Sequence, residues 1–230
     1  MVVVQEDLLA VNSSFSKIIK RGIGKGPENC YTVLNANQLY VYIRNFMTPA
    51  EEILMNQKEY NLVMKYRSAV ISALSNELLK DASQLLEISF DSMYQDWNFH
   101  TNSGVLLLVN NRPHPDIKLD ENFNRKLFQL IRMVGSQFHK TPSEFKVIKY
   151  TENSCAIESK EIMFPLERLL IKKGNEDLLL THTREIKKGY IQHKRLFEDL
   201  FNRSIEDIYM MWDCNQSKHY LIFSFKRPTP

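Results

Sequence analysis

The segment Gly24-Lys25-Gly26-Pro27 has the residue types of a phosphate-binding turn. Glycines expose backbone amides, and a lysine ammonium among them attracts an anion. The segment departs from a Walker loop, because Ile19 stands where that loop needs glycine and Gly26 where it needs serine or threonine. A dinucleotide loop follows a strand, whereas the preceding residues here predict a helix. Two alternatives remain: a helix C-cap with glycine in the left-handed conformation, and an anion-binding turn.

Thr48-Pro49-Ala50-Glu51 is the second motif that could do chemistry. A threonine before proline is typical of a helix N-cap, and a glutamate just after it is favoured by the positive end of the helix dipole. The sequence offers this glutamate no matched base or nucleophile, so no catalytic residue is predicted. The candidate ligand-binding residues are therefore Gly24, Lys25, Gly26, Thr48 and Glu51.

Histidines and cysteines do not form a metal-binding pattern. His182 and His193 could share a helix face, but a rise of about 1.5 Å per residue separates them by roughly 16 Å, too far for one metal ion. We therefore expect solvated histidines and neither a metal nor a cofactor. Cys30, Cys155 and Cys214 are widely spaced, which predicts free thiols in a reducing compartment.

Asp91, Asp96 and His100 fall together in a predicted hairpin of the first half. They are polar enough to form a small site. Ordinary polar residues at a strand edge and turn explain them equally well, so both interpretations stay open.

The composition is that of a folded chain without a membrane span. Among 230 residues, 43% are hydrophobic and 11% are aromatic, which excludes a disordered or low-complexity chain. The mean hydropathy is −0.34, and no apolar run approaches 18 residues, so no membrane insertion is expected. The acidic start at Glu6 and Asp7 does not resemble a signal peptide. We therefore expect a cytoplasmic protein.

Charge is unevenly distributed along the chain. Residues 1–115 carry 10 Lys or Arg and 11 Asp or Glu, whereas residues 116–230 carry 20 and 16. With interleaved aromatic residues, this basic surplus could in principle bind nucleic acid. Acidic residues are interspersed and no nucleic-acid motif is present, so solvated faces are favoured and nucleic acid is an unlikely partner. The basic residues concerned are Lys146, Lys149, Lys172, Lys173, Lys187, Lys188, Lys194 and Arg195.

An internal duplication organises the chain. Four landmarks of the first half recur in order about 115 residues later, which predicts two units, 1–115 and 116–230. They are residues 24–27 with 139–142, 46–51 with 162–167, Tyr94 and Trp97 with Tyr209 and Trp212, and 112–115 with 227–230.

Each unit has the predicted order α-β-β-α-β-β. Apolar spacing predicts a first helix over 5–21, and the glycines after it end that helix. The other predicted elements of the first unit are strands 30–34 and 39–45, one long helix from Pro49, with Tyr60, Val63, Val70, Leu74 and Leu78 on one stripe, and a hairpin of 86–95 and 104–110. In the second unit they are a helix through 123–134, strands 145–150 and 154–160, a helical region over 165–201 with a break at Gly174-Asn175, and strands 205–213 and 219–225.

The expected fold class is α+β. Two helices on one face of a mostly antiparallel four-stranded sheet bury both apolar stripes in each unit. A linker is predicted over residues 110–119, where Pro113, Pro115 and Asp116 cluster. The two units are expected to pack as a pseudo-twofold pair that imitates a homodimer.

The stretch from Gly24-Lys25-Gly26-Pro27 through the strand pair to Met47-Thr48-Pro49-Ala50-Glu51 resembles the MpsC-like family of bacterial domains. The family takes its name from a Na+-translocating membrane-potential-generating system. The resemblance covers residues 5–110 well and residues 120–226 more weakly, which implies a tandem member with a diverged second copy. It implies a non-enzymatic accessory role beside membrane ion or bicarbonate uptake machinery, and it supplies no catalytic residues.

Two function hypotheses follow. The first is a cytosolic accessory protein whose partner is a membrane ion or bicarbonate transport protein, with self-association as a further possibility. The alternative is a small-ligand or anion-binding sensor that uses the turn at residues 24–27 and a cleft between the units.

Overall fold

The computed structural model describes residues 3–112, 117–161, 163–174, 176–213 and 215–226. Within it the chain divides into two compact units, Met1–His114 and Pro115–Pro230. The predicted linker residues Pro113, Pro115 and Asp116, the landmark at 227–230 and the break at Asn175 fall outside the described residues, as does Cys214.

Unit 1 follows the predicted element order, except that two helices rather than one lie between the strand pairs. Its elements are α1 (Gln5–Ile23), β1 (Asn29–Asn35), β2 (Gln38–Arg44), α2 (Pro49–Asn56), α3 (Tyr60–Leu86), β3 (Ser92–Asn98) and β4 (Ser103–Val109). The strands form one antiparallel sheet in the order β1-β2-β4-β3. Strand β4 is buried along its whole length, in keeping with its continuous apolar run and its central position.

The core of unit 1 lies between the helices and one face of the sheet. Its members include Val11 and Phe15 of α1, Val63, Ile71 and Leu78 of α3, and Leu39, Val41, Leu106 and Leu108 of the central strands. Of the apolar residues whose spacing predicts α1, Val11, Phe15, Ile18 and Ile19 are buried, whereas Leu9 is exposed. Helix α1 ends at Gly24, whose φ of 88° is left-handed and whose N–H donates to the carbonyl of Lys20, as the C-cap interpretation predicts.

The prediction of a single long helix after Pro49 is wrong. Residues 57–59 divide this helical region into α2 and α3, and Lys58 among them has a positive φ of 63°. Helix α3 then continues to Leu86, so β3 starts at Ser92 rather than at residue 86. The buried stripe of α3 also differs from the predicted one, because Arg67 and Ile71 are buried whereas Val70 is only half-buried.

Unit 2 repeats the architecture. Its elements are α4 (Glu121–Gly135), β5 (Glu144–Tyr150), β6 (Ser154–Lys160), α5 (Pro165–Lys172), α6 (Glu176–Gln192), α7 (Lys194–Phe201), β7 (Ile205–Asp213) and β8 (Lys218–Phe225). The sheet order β5-β6-β8-β7 matches that of unit 1, which confirms the α+β class and the repeated pattern. The predicted helical region over 165–201 is three helices, with a further break at His193.

Candidate functional site

A groove of about 730 Å³ runs between α1, from Leu9 to Lys20, and residues 24–28 of the following turn. Residues 24–27 are called the glycine turn below. The groove is polar and basic: the ammonium-bearing side chains are Lys17, Lys20 and Lys25, and one carboxylate, Glu28, joins them. Asn12, Ser13 and Ser16 add hydrogen-bonding groups from α1. Three of the five candidate ligand-binding residues, Gly24, Lys25 and Gly26, therefore line one concave surface.

Lys25 connects the glycine turn to the second motif. Its Nζ donates a hydrogen bond of 2.7 Å to the carbonyl of Met47, the residue before Thr48. An ammonium group has three donors, so this bond leaves capacity for a further acceptor. The two motifs that the sequence singled out are thus in contact, through a backbone carbonyl rather than through their own side chains.

Thr48 and Glu51 form a reciprocal helix cap. The Glu51 N–H donates to Thr48 Oγ1 at 3.3 Å, while Thr48 N–H donates to Glu51 Oε2 at 2.8 Å. The predicted N-cap is therefore confirmed. Neither residue lines the groove: Glu51 is 0% exposed. Their part in binding a ligand stays a prediction.

Glu51 also belongs to a buried ion pair that the sequence interpretation missed. Arg67 Nε donates to Glu51 Oε1 at 2.8 Å, and Arg67 Nη2 bonds Glu51 Oε2 and the carbonyl of Phe46. The guanidinium lies 4.5 Å from the ring centre of Phe46 and 5.2 Å from that of Trp97. Arg67 is 0% exposed, so the pair is enclosed by apolar and aromatic groups. The signal was present, because Arg67 falls four residues after Val63 on the apolar stripe of α3.

Asn102 completes the support of the segment before α2. Its Oδ1 accepts the backbone N–H groups of Phe46 and Met47, at 2.8 and 3.0 Å. Asn102 adopts a left-handed φ of 50° in the β3–β4 turn, a conformation that asparagine tolerates well. The Met47 carbonyl, which accepts the hydrogen bond from Lys25, therefore lies in a segment fixed by two long-range hydrogen bonds to Asn102.

Cys30 stands at the edge of the groove and is not a reactive thiol. Burial raises its pKa to about 11, an effect that a hydrogen bond with Ser16 partly opposes. Burial also raises the pKa of the fully buried Cys155. Both are free cysteines, as the spacing predicts.

The polar residues of the first hairpin do not form one site. Asp91 accepts the N–H of Asn111 at 2.8 Å, and Asp96, buried in β3, accepts the N–H of Trp97 at 2.8 Å. His100 is exposed in the following turn beside Tyr60. The interpretation as ordinary strand and turn residues accounts for all three contacts. In the described ranges, no group of three or more His, Cys, Asp or Glu has an arrangement that could hold a metal ion.

Two histidines are buried, contrary to the expectation that the histidines are solvated. His139 and His219 of unit 2 are each 2% exposed. The reason is local: His139 follows the end of α4 and packs against Gly135, while His219 points inward from β8. His182 is half-buried, and its Nε2 lies 2.9 Å from Glu167 Oε1.

Two of the basic residues that the sequence singled out in unit 2 are buried. Lys149 and Lys187 are 1% and 8% exposed, and Lys187 Nζ lies 5.4 Å from the ring centre of Tyr209. Buried ammonium groups cannot contact phosphates, so these two lysines add no support for nucleic-acid binding. Among those residues, no helix combines the length and the apolar character needed to cross a bilayer.

Unit 1 is thus an α+β domain with helices on one antiparallel sheet, a basic groove beside a glycine turn, and a buried ion pair that anchors the Thr48 cap. Residues 9–112, which make up most of unit 1, match the family described as Na+-translocating membrane potential-generating system (MpsC). The resemblance predicted from the two motifs is confirmed over that range. The match does not extend to unit 2. Comparisons with curated proteins and with solved structures give no significant match.

Proposed function

We propose that this chain is a cytosolic, non-enzymatic accessory protein that works beside a membrane ion or bicarbonate transport protein, and that the groove of unit 1 is its contact surface. The observation that carries the proposal is the position of the glycine turn. It is one of the motifs on which the family resemblance rests, and it borders a groove with three lysines and one carboxylate. Such a surface attracts an acidic segment of a partner.

The groove suits binding better than chemistry. Its side chains are mainly ammonium, hydroxyl and amide groups, and its one carboxylate, Glu28, accepts a hydrogen bond of 2.7 Å from Asn45 Nδ2. Its thiol, Cys30, has a pKa raised to about 11 by burial. A nucleophile with so high a pKa is protonated at neutral pH. The carboxylate Glu51 is committed to Arg67 and Thr48, so it is not available as a general base.

Affinity capture from native-host membranes tests this proposal, with three baits compared side by side. The wild-type chain is compared with Lys17→Glu/Lys20→Glu, which reverses the charge of the groove, and with Lys80→Glu, an exposed position on α3 outside the groove. We expect an ion or bicarbonate transporter to be recovered by the wild type and by Lys80→Glu, and to be lost with the double variant. Recovery of the bait alone in all three cases would refute the accessory role.

The alternative is a small-anion sensor, and the Lys25 ammonium in the glycine turn favours it specifically. Lys25 lies between Gly24 and Gly26 on the groove, and its Nζ has donors left after the bond to Met47, whereas the Gly24 N–H already bonds the Lys20 carbonyl. Titration of the full chain with bicarbonate and with inorganic phosphate, followed by the amide NMR signals of Gly24 and Gly26, separates the two functions. Saturable shifts that Lys25→Met abolishes would favour the sensor, whereas unchanged spectra up to millimolar anion would exclude it.

A further inference from the structure

Unit 2 has a cluster of titratable side chains at the place where unit 1 has its buried ion pair. Trp97 pairs with Gly104 across β3 and β4, and Trp212 pairs with His219 across β7 and β8. His219 therefore stands at the position of Gly104, where a Cβ in unit 1 would meet the Trp97 ring at 2.3 Å.

Unit 2 keeps the glutamate of the unit 1 ion pair, but it has a histidine in place of the arginine. Glu167 is the third residue of α5, which begins at Pro165. Glu51 is likewise the third residue of α2, which begins at Pro49. Glu51 pairs with Arg67, which stays charged at every physiological pH, whereas Glu167 pairs with His182, which is charged only when protonated.

Two further histidines lie beside this pair in a water-poor environment. The ring centres of His139 and His219 are 6.2 Å apart, and that of Trp212 is 5.1 Å from His219. His139 Nδ1 lies 2.9 Å from the carbonyl of Lys140. Among the described residues, the Nε2 atoms of both histidines are buried without a hydrogen-bond partner. A proton added to either Nε2 would therefore create a buried charge with no acceptor, which is costly.

The surrounding charges do little to compensate such a proton. Burial lowers the pKa of His139, and the neighbouring Lys140 carbonyl and Glu167 only partly oppose this effect, while His182 adds to it. Burial likewise lowers the pKa of His219 well below its usual value, and His139 lowers it further.

Nearby groups on the adjoining elements are engaged elsewhere. Arg168 of α5 bonds Ser217 Oγ at 3.3 Å. Lys218 Nζ of β8 lies 4.0 Å from Glu158 Oε2 of β6. The Tyr190 hydroxyl of α6 donates to the carbonyl of Ile131 at 3.4 Å.

We propose that the two buried histidines, His139 and His219, make unit 2 a pH-responsive element, which loosens in mildly acidic solution while unit 1 keeps its structure. A folded state that holds histidine neutral binds fewer protons than the unfolded chain. Its stability is therefore complete above the unfolded histidine pKa of about 6.5 and falls as the pH drops below it. Arg67 gives unit 1 no such dependence, because its charge is permanent.

The main test is urea unfolding of the full chain at pH 7.5 and 5.5, with one tryptophan per unit as reporter. Trp97→Phe leaves Trp212 to report unit 2, and Trp212→Phe leaves Trp97 to report unit 1. Each histidine that stays neutral raises the unfolding constant by about tenfold between these pH values, so we expect about 100-fold for unit 2 from His139 and His219. The variant His219→Phe should reduce this to about tenfold, and the exposed control His100→Gln should leave it unchanged. An equal pH dependence in both units, or one that His219→Phe does not alter, would overturn the proposal.

Hydrogen exchange of the wild-type chain provides a second readout that requires no variant to fold. After correction for intrinsic exchange rates, protection at pH 5.5 should fall in peptides covering residues 136–140 and 218–222. It should persist in peptides covering residues 45–51. Loss of protection that is uniform, or that begins in unit 1, would contradict a histidine-based response.

Discussion

Replacing Arg67 by methionine is expected to destabilise unit 1 severely. The Arg67 side chain is 0% exposed and that of Glu51 is 1% exposed, so the variant leaves a carboxylate inside the core without its cation. Breaking a buried pair from one side typically costs about 3–5 kcal/mol. Methionine has a similar length and fills most of the space between Phe46 and Trp97, so the loss reports charge rather than a cavity.

The double variant Arg67→Met/Glu51→Leu separates the charge from the cap. With both ions removed no buried charge remains, so the cost of the single variant should largely disappear. What remains is the Glu51 contribution to the cap of α2, worth about 1 kcal/mol. The double variant should therefore be more stable than Arg67→Met alone.

Urea unfolding followed by Trp97 fluorescence in the Trp212→Phe background measures these differences directly. The matched control is Arg21→Met, because Arg21 pairs with Glu77 on the surface, with side chains 65% and 45% exposed. The Arg21→Met variant should lose about 0–1 kcal/mol of its free energy of unfolding. The reasoning would be refuted if Arg67→Met lowered the free energy of unfolding no more than Arg21→Met does. It would also be refuted if the double variant were less stable than Arg67→Met alone.

Three further predictions concern packing, protonation and reactivity. Gly104→Ala should cost about 1–3 kcal/mol in urea unfolding, because its Cβ would meet the Trp97 ring at 2.3 Å; a neutral result would mean that the ring can move. Burial lowers the pKa of Lys149 to about 7, so the unfolded chain binds more protons above that pH and stability should rise from about pH 7 to pH 10. Lys149→Met should remove that rise, and an identical pH profile in the variant would contradict the assignment. With its pKa raised to about 11, Cys30 should react with iodoacetamide at pH 8 about 100-fold more slowly than an ordinary thiol. Peptide mass spectrometry measures the rate of labelling. Labelling of the folded chain as fast as that of the urea-unfolded chain would contradict the burial of this thiol.

The fold was largely predictable because its signals are local and repeat twice. The amphipathic pattern of α1, the strand pair predicted over 30–34 and 39–45, and the cap at Thr48 each depend on neighbouring residues. The break between α2 and α3 was missed because it contains no glycine or proline: Lys58 adopts a positive φ instead.

The candidate site was less predictable, because its decisive contacts join residues distant in sequence. Arg67 reaches Glu51 across 16 positions, and Asn102 reaches Phe46 across 56. A charged residue on an apolar stripe, as Arg67 is on α3, was the available signal, and it predicts a buried partner.

The comparison between Gly24 and His139 explains why the two units should not share a function. Gly24 ends α1 in the left-handed conformation and leaves its turn open to the groove. His139 takes the corresponding place in the repeat, yet its ring is buried against Gly135 and beside His219. In the described part of unit 2, the position of the glycine turn is thus taken by a residue with a buried side chain. Unit 2 is therefore the place to look for a response to protons.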